Sequence, residues 1–432
     1  MTWVPFLTVG LGLLLALLFA GVPVFVGFLA LNILGVVVLM GPAGFGLFTN
    51  SLFETATSPT LATVALFVLM GEILFRSGTV DVLFDSIDRL VGNLKGRLYV
   101  VVISLSTVFG ALSGSAVAVA AMLGRSLLPM MQSRGYDAKL SAGTVLAGAS
   151  LAPIIPPSLL AIIVGSLADV SIAGLLVAGL IPGLVLAGLT LGYVMLRMGP
   201  QPEEEPGSTQ QPDRSRIEAA LRMTPFLLVI FSVMGLIMLG IATPSESAAT
   251  GVAGAVLVAA LFGRLTLKML SEAIGSAVAI SAVILVIVCS AKLFSQLLSF
   301  TGATRGLVSL TADLGLGPDL TFLVMMLIPF VLCMFIDQIA FMLLAIPIYQ
   351  PIVKAMEFDP VWFWTLFLIN LTIGSLTPPF GYTLFALKGA NRDLTIAQIF
   401  GAAWPVVTIF LIGMALLWAM PGLVTFLPEA LK

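Results

Sequence analysis

The sequence predicts an all-α polytopic membrane protein built from two related halves, and three observations lead there. Of its 432 residues, 59% are hydrophobic and only 9% charged, with a mean hydropathy of +1.16, so lipid rather than water is its solvent. Apolar runs of about 20 residues, enough for a helix to cross the hydrocarbon core, fill most of the chain, and strands of alternating polarity are not seen. Two of these runs carry a double proline, in Ala152-Pro153-Ile154-Ile155-Pro156-Pro157-Ser158 and in Gly374-Ser375-Leu376-Thr377-Pro378-Pro379-Phe380. Proline lacks a backbone donor and clashes with the preceding turn, so both runs are expected to form broken helices.

The two breaks share a register. A shift of 222 residues carries Pro156-Pro157 onto Pro378-Pro379, and carries Ser115, Pro129 and Asp137 onto Asp337, Pro351 and Asp359 without a gap. Arg76-Ser77-Gly78 finds a fainter echo in Phe300-Thr301-Gly302 after a two-residue slip. Corresponding interruptions in two halves of a membrane protein point to a central substrate and ion site.

Taken in order, residues 4–40 form one apolar block broken by Gly21 and Pro23, which fits two helices or one kinked helix; no basic n-region precedes it, so it reads as retained. Residues 41–59 read as a polar connection completing an N-terminal scaffold, 1–59, and 60–76 as a crossing that opens the first repeat, 60–198. Residues 77–97 fit an amphipathic helix at the interface or a solvated loop. From 98 to 131 two short arms meet at Ser113-Gly114-Ser115, favouring a re-entrant hairpin, and 138–165 is the first broken helix. Asp169 marks a turn before a crossing at 171–197.

Residues 199–222, rich in Pro, Glu and Gln, read as a linker between the halves. Connecting scaffold helices follow at 223–272, then the second repeat, 273–390, with a hairpin at 318–353 around Asp337 and a broken helix at 360–387; a helix in 391–432 ends the chain. An odd number of crossings separates the repeats if the hairpin counts as none, so the second is expected to be inverted relative to the first.

Composition also removes whole classes of function. The absence of histidine excludes Ser-His and Cys-His catalysis and His-ligated metals. Cys289 and Cys333 lie in apolar segments without CxxC spacing, and no phosphate loop is present. A net charge of −2 with scattered Lys and Arg gives no footprint for nucleic acid. With no partner at a suitable spacing for Lys292 or Asp337, no enzyme is expected.

A broken helix frees backbone carbonyls, the ligands a sodium ion needs. Candidate cation ligands are Ser113, Gly114 and Ser115 with Ala152, Ile155 and Pro157 in the first half, and Asp337 with Gly374, Thr377 and Pro378 in the second. Gly114 and Gly374 let backbones approach. Ser158, Gln338, Pro379 and Thr383 are candidate substrate contacts, and half-helices starting at the breaks favour an anion. Glu72, Arg125, Glu246, Lys292 and Lys388 are further charges in or beside apolar segments, with snorkelling favoured for Arg125 and Lys388.

Val68-Leu69-Met70-Gly71-Glu72-Ile73-Leu74, Ser113-Gly114-Ser115, Pro153-Ile154-Ile155-Pro156-Pro157-Ser158, Val177-Ala178-Gly179-Leu180-Ile181-Pro182-Gly183, Thr243-Pro244-Ser245-Glu246 and Leu376-Thr377-Pro378-Pro379, in this order, resemble the large membrane subunit of tripartite ATP-independent periplasmic (TRAP) transporters. The resemblance implies an elevator-type symporter of the ion transporter superfamily kind in the bacterial inner membrane. It would take up an organic acid anion, a carboxylate or dicarboxylate, with Na+ as coupling ion and no cofactor. A small four-helix membrane subunit and a soluble periplasmic substrate-binding protein would be its partners, each a separate chain, within the lipid bilayer. The family's Asp-Pro at the second tip is Asp337-Gln338 here, its Asn after the second Pro-Pro-x-Gly is Tyr382, and Ala152 and Ala116 replace a Gly and a Ser in the first half. A sodium-independent pore is the alternative the same broken helices could build.

Overall fold

A computed structural model describes residues 3–92, 94–199 and 216–431; all are helices and their connections, with no strand among them. The apolar N-terminal block forms two helices, α1 (Trp3–Phe19) and α2 (Val24–Met40), with Gly21 at φ +80° and Pro23 between them. The expected connection that follows is instead largely helical, α3 (Gly44–Ala56). Its polar residues are absorbed by packing: buried Ser51 hydrogen-bonds Gln296 at 2.9 Å, and Thr49 donates to the Phe45 carbonyl one turn back at 2.9 Å. Next come α4 (Pro59–Arg76) and α5 (Val80–Val91), the latter resolving the helix-or-loop alternative. α5 buries Leu83 and Ile87, and Arg97 grips Asp88 through two hydrogen bonds of 2.8 and 2.5 Å.

The first half continues with α6 (Arg97–Ser113), α7 (Ala116–Ser133), α8 (Ala138–Leu151), α9 (Leu159–Ala168), α10 (Ile172–Ala178) and α11 (Leu180–Arg197). Most of the expected linker, residues 200–215, lies outside the described residues. Beyond it are α12 (Arg216–Met238), α13 (Pro244–Leu261), α14 (Leu267–Phe300), α15 (Ala303–Asp313), α16 (Pro318–Leu332), α17 (Gln338–Ala355), α18 (Pro360–Leu376), α19 (Tyr382–Ala390), α20 (Ile396–Ala419) and α21 (Gly422–Ala430). α15 was not legible as a helix, and the final segment is two helices because Pro421 interrupts it. Among the described residues six helical stretches are long and apolar enough to cross a membrane, or seven if the bent α3–α4 pair counts as one.

Packing sorts these helices into a frame and a centre. α4 packs on α13 and α14, α12 on α13 and α5, and α14 also on α2 and α3. At the centre, α8 is surrounded by α6, α7, α11 and α20, while α18 is surrounded by α16, α17, α10 and α20. The halves interlock: α7 of the first packs on α19 of the second, and α17 of the second on α9 of the first.

The two central helices are buried by different means. α8 is rich in small residues, and a Cβ at Gly143 would lie 3.1 Å from the Ala402 carbonyl of α20. Close backbone approach of this kind drives helix association where lipid removes the hydrophobic incentive. α18 instead carries aromatic rings, with Phe363–Trp364 and Trp364–Phe367 both edge-to-face at 5.1 Å. Such pairs contribute about 0.5–1.5 kcal/mol each beyond area burial.

Candidate functional site

Both double prolines interrupt a helix at the centre of the molecule. α8 ends at Leu151 and α9 starts at Leu159, with every residue from 151 to 158 buried; α18 ends at Leu376 and α19 starts at Tyr382. The Pro156–Pro157 and Pro378–Pro379 bonds are both cis. Aspartates at matched positions cap the helices that enter the breaks: Asp137 accepts from Leu140 N at 2.6 Å and Asp359 from Trp362 N at 2.8 Å.

Beside the first break stands the turn between α6 and α7. Gly114 caps α6 at φ +62°, a conformation that a side chain would strain. A Cβ there would lie 3.3 Å from Leu159 N, so this turn rests directly on the start of α9. Ser115 caps α7, its Oγ accepting from Ala118 N at 3.3 Å. The Ser113 Oγ is buried with no hydrogen-bond partner among the described residues. One turn earlier Gly110 meets Ala152, whose Cα would be 2.9 Å from an added Cβ. Ser158 caps α9 and also donates to the Pro153 carbonyl at 2.5 Å, closing the break on itself. No backbone N–H among the described residues is donated to the carbonyls of Ala152, Ile155 or Pro157.

The second break is bound to its neighbouring turn by side chains. Asp337 caps α17, its Oδ1 accepting from Ile339 N at 2.9 Å and Ala340 N at 3.3 Å. No Lys or Arg among the described residues pairs with it. It borders a cavity of about 530 Å³ that reaches Leu159 at the first break and is walled by Ile280, Val283 and Ile287 of α14. Gln338, 2% exposed, donates from Nε2 to Ser375 Oγ at 3.1 Å and accepts from the Tyr382 hydroxyl at 2.6 Å. The Gly374 and Thr377 carbonyls each accept one backbone hydrogen bond, whereas Pro378 accepts none. The Thr377 Oγ1 donates to the Ile373 carbonyl at 2.7 Å. Thr383, fully buried, has an Oγ1 with no partner among the described residues, and Pro379 is exposed. Gly374 backs onto α16, where a Cβ would lie 2.6 Å from the Cys333 Cβ.

The structure thus gathers the candidate residues of each half around its own break. The other charges have ordinary structural partners. Glu72 pairs with Arg76 at 2.7 Å, Lys292 with Glu54 at 3.3 Å, and Glu246 completes a capping box with Thr243. Arg125 donates to its own helix at the Ala121 carbonyl, and Lys388 to the Arg392 and Leu394 carbonyls. Sequence reasoning left Gly110, Ser375 and Tyr382 out of the site, because their roles depend on contacts across the fold. The Gly179 and Gly183 of the quoted α10–α11 motif acquire a reason too: they lie against Ile154 and Ile155 of the first break.

Residues 11–423 match the family described as "Tripartite ATP-independent periplasmic transporter, DctM component". The chain is 29% identical to the ectoine TRAP transporter large permease protein of Halomonas elongata, over 98% of this chain and 99% of that one. It is also 29% identical to the sialic acid TRAP transporter large permease protein of Vibrio cholerae, over 96% of each. Among solved structures, the fold is similar to the YdaH transporter of Alcanivorax borkumensis, with a TM-score of 0.65 at 15% identity over 88% of this chain and 89% of that one. With its apolar spans and this match across nearly its whole length, the chain belongs to the DctM family of TRAP transporter large permease subunits, multi-pass proteins of the bacterial inner membrane.

Proposed function

We propose that this permease takes up an organic acid anion by sodium symport, with two inverted repeats moving as an elevator and a periplasmic binding protein delivering the substrate. A small four-helix membrane subunit completes the assembly, as the tripartite family implies. The 222-residue register and the reciprocal α7–α19 and α17–α9 contacts support a repeat in which the turns before α7 and α17 are tips of re-entrant hairpins. The frame of α4, α12, α13 and α14 is the natural stationary part against which that centre slides.

The observation that carries the sodium reading is the set of underused oxygens beside the breaks. In the first half the Ser113 hydroxyl and the carbonyls of Ala152, Ile155 and Pro157 lack protein donors, and a buried polar atom without a partner is costly. A cation supported by Gly114 and Ser115 would satisfy them. In the second half Asp337 supplies a carboxylate, with the carbonyls of Gly374, Thr377 and Pro378 and the Thr377 hydroxyl alongside. α9 starts at the end of the first break and α19 at the end of the second, so their N-terminal dipoles, with Ser158, Gln338, Pro379 and Thr383, favour an anionic substrate at the breaks. The test is uptake of radiolabelled organic acids into proteoliposomes holding this chain and its small subunit, with added binding protein and an inward sodium gradient. Uptake that requires both sodium and binding protein supports the reading; flux indifferent to both replaces it with a pore.

A further inference from the structure

Two of the residues at which this chain departs from the family pattern, Gln338 and Tyr382, are hydrogen-bonded to each other. Gln338 is the first residue of α17, Tyr382 the first of α19, and Gln338 also holds Ser375 in the last turn of α18. The chain Tyr382–Gln338–Ser375–Thr372 carbonyl therefore ties the second tip to the helix on both sides of its break. The 222-residue shift places Ala116, Pro153 and Leu160 at the corresponding positions of the first half, none able to make such a tie by its side chain. Each end of the Gln338–Tyr382 bond is next in the chain to a candidate ligand: Asp337 precedes Gln338, and Thr383 follows Tyr382. The bond thus joins the helix start that Asp337 caps to the helix start that carries the orphaned Thr383 hydroxyl.

We infer that Gln338, Tyr382 and Ser375 are positioning residues that set the affinity of the second cation site, an inference resting on the sodium reading above. Losing one partner of a buried hydrogen bond is costly because the other is left unsatisfied, here the Gln338 Oε1. Tyr382→Phe removes only the hydroxyl and should raise the sodium concentration for half-maximal uptake about five- to thirtyfold. Ser375→Ala should shift sodium dependence in the same direction, and Tyr382→Phe with Gln338→Ala should be less than additive.

Tyr349→Phe is the control. It deletes another buried tyrosine hydroxyl of this half, bonded to the Met325 carbonyl at 2.9 Å, away from the tip. The experiment measures sodium-dependent uptake and direct 22Na+ binding for the intact complex and for Tyr382→Phe, Gln338→Ala, their combination, Ser375→Ala and Tyr349→Phe. A sodium shift in Tyr382→Phe absent from Tyr349→Phe, with similar thermal midpoints in sodium-free buffer, is the expected result. If the unsubstituted protein binds sodium and Tyr382→Phe binds it equally well, the positioning role is overturned. If the unsubstituted protein binds none, the sodium reading itself fails.

Discussion

The two breaks occupy equivalent places and solve the same problem differently. The first meets its neighbouring turn by close packing, Gly114 on Leu159 and Gly110 on Ala152, and its one side-chain tie, Ser158 to the Pro153 carbonyl, stays inside the break. The second is held by side chains, through Gln338, Ser375 and Tyr382. The glycine that permits close approach has also changed sides, from the arm of the first turn, Gly110, to the broken helix of the second, Gly374. Ser115 and Asp337 perform the same capping task, one with a hydroxyl and the other with an ionisable carboxyl. Two breaks in one sequence register thus share their helix caps while differing in the groups that hold them.

The largest effect that would break this comparison comes from Gly374→Ala. Its Cβ would lie 2.6 Å from the Cys333 Cβ, and overpacking of this kind costs about 1–3 kcal/mol. Thermal denaturation of the purified protein should show that loss. Adding Cys333→Gly should recover part of it, moving the glycine to the turn-side helix as in the first half. No recovery would show that the two close approaches are unrelated.

Charge and capping separate next. Asp337→Asn retains a capping oxygen and removes the charge, so stability should change by less than about 1 kcal/mol while sodium-dependent uptake falls at least about tenfold. Ser115→Ala removes a neutral cap, costing about 0.5–2 kcal/mol by thermal denaturation. Equal loss of uptake in Asp337→Asn and Asp337→Ala, with sodium affinity unchanged in both, would leave Asp337 only structural work.

The smallest stability effect is expected from Ser113→Ala. Its hydroxyl has no protein partner, so removing it should leave the sodium-free midpoint nearly unchanged. Sodium should then stabilise the variant less than the unsubstituted protein, because a ligand adds stability only in proportion to how tightly it binds. A drop in the sodium-free midpoint of several degrees would mean that Ser113 has a structural partner instead.

Much of this was legible because proline and capping residues act locally. The register aligns Asp137 with Asp359 and Ser115 with Asp337 in the sequence; that all four cap helices emerges only in the structure, although a cap needs no more than its own next turn. The breaks followed from proline's missing donor. α3 was not legible because Ser51 and Thr55, loop-like in sequence, are buried against the frame. The Gln338–Tyr382 bond spans 44 residues and joins two helix starts, so no local pattern could announce it. Only the departures at those two positions marked them as unusual.

The most direct test of the two-site account is equilibrium 22Na+ binding to the purified complex, counted per chain. The account predicts two ions per chain, with one lost in Asp337→Asn and the other retained. Absence of saturable sodium binding in the unsubstituted protein would contradict it.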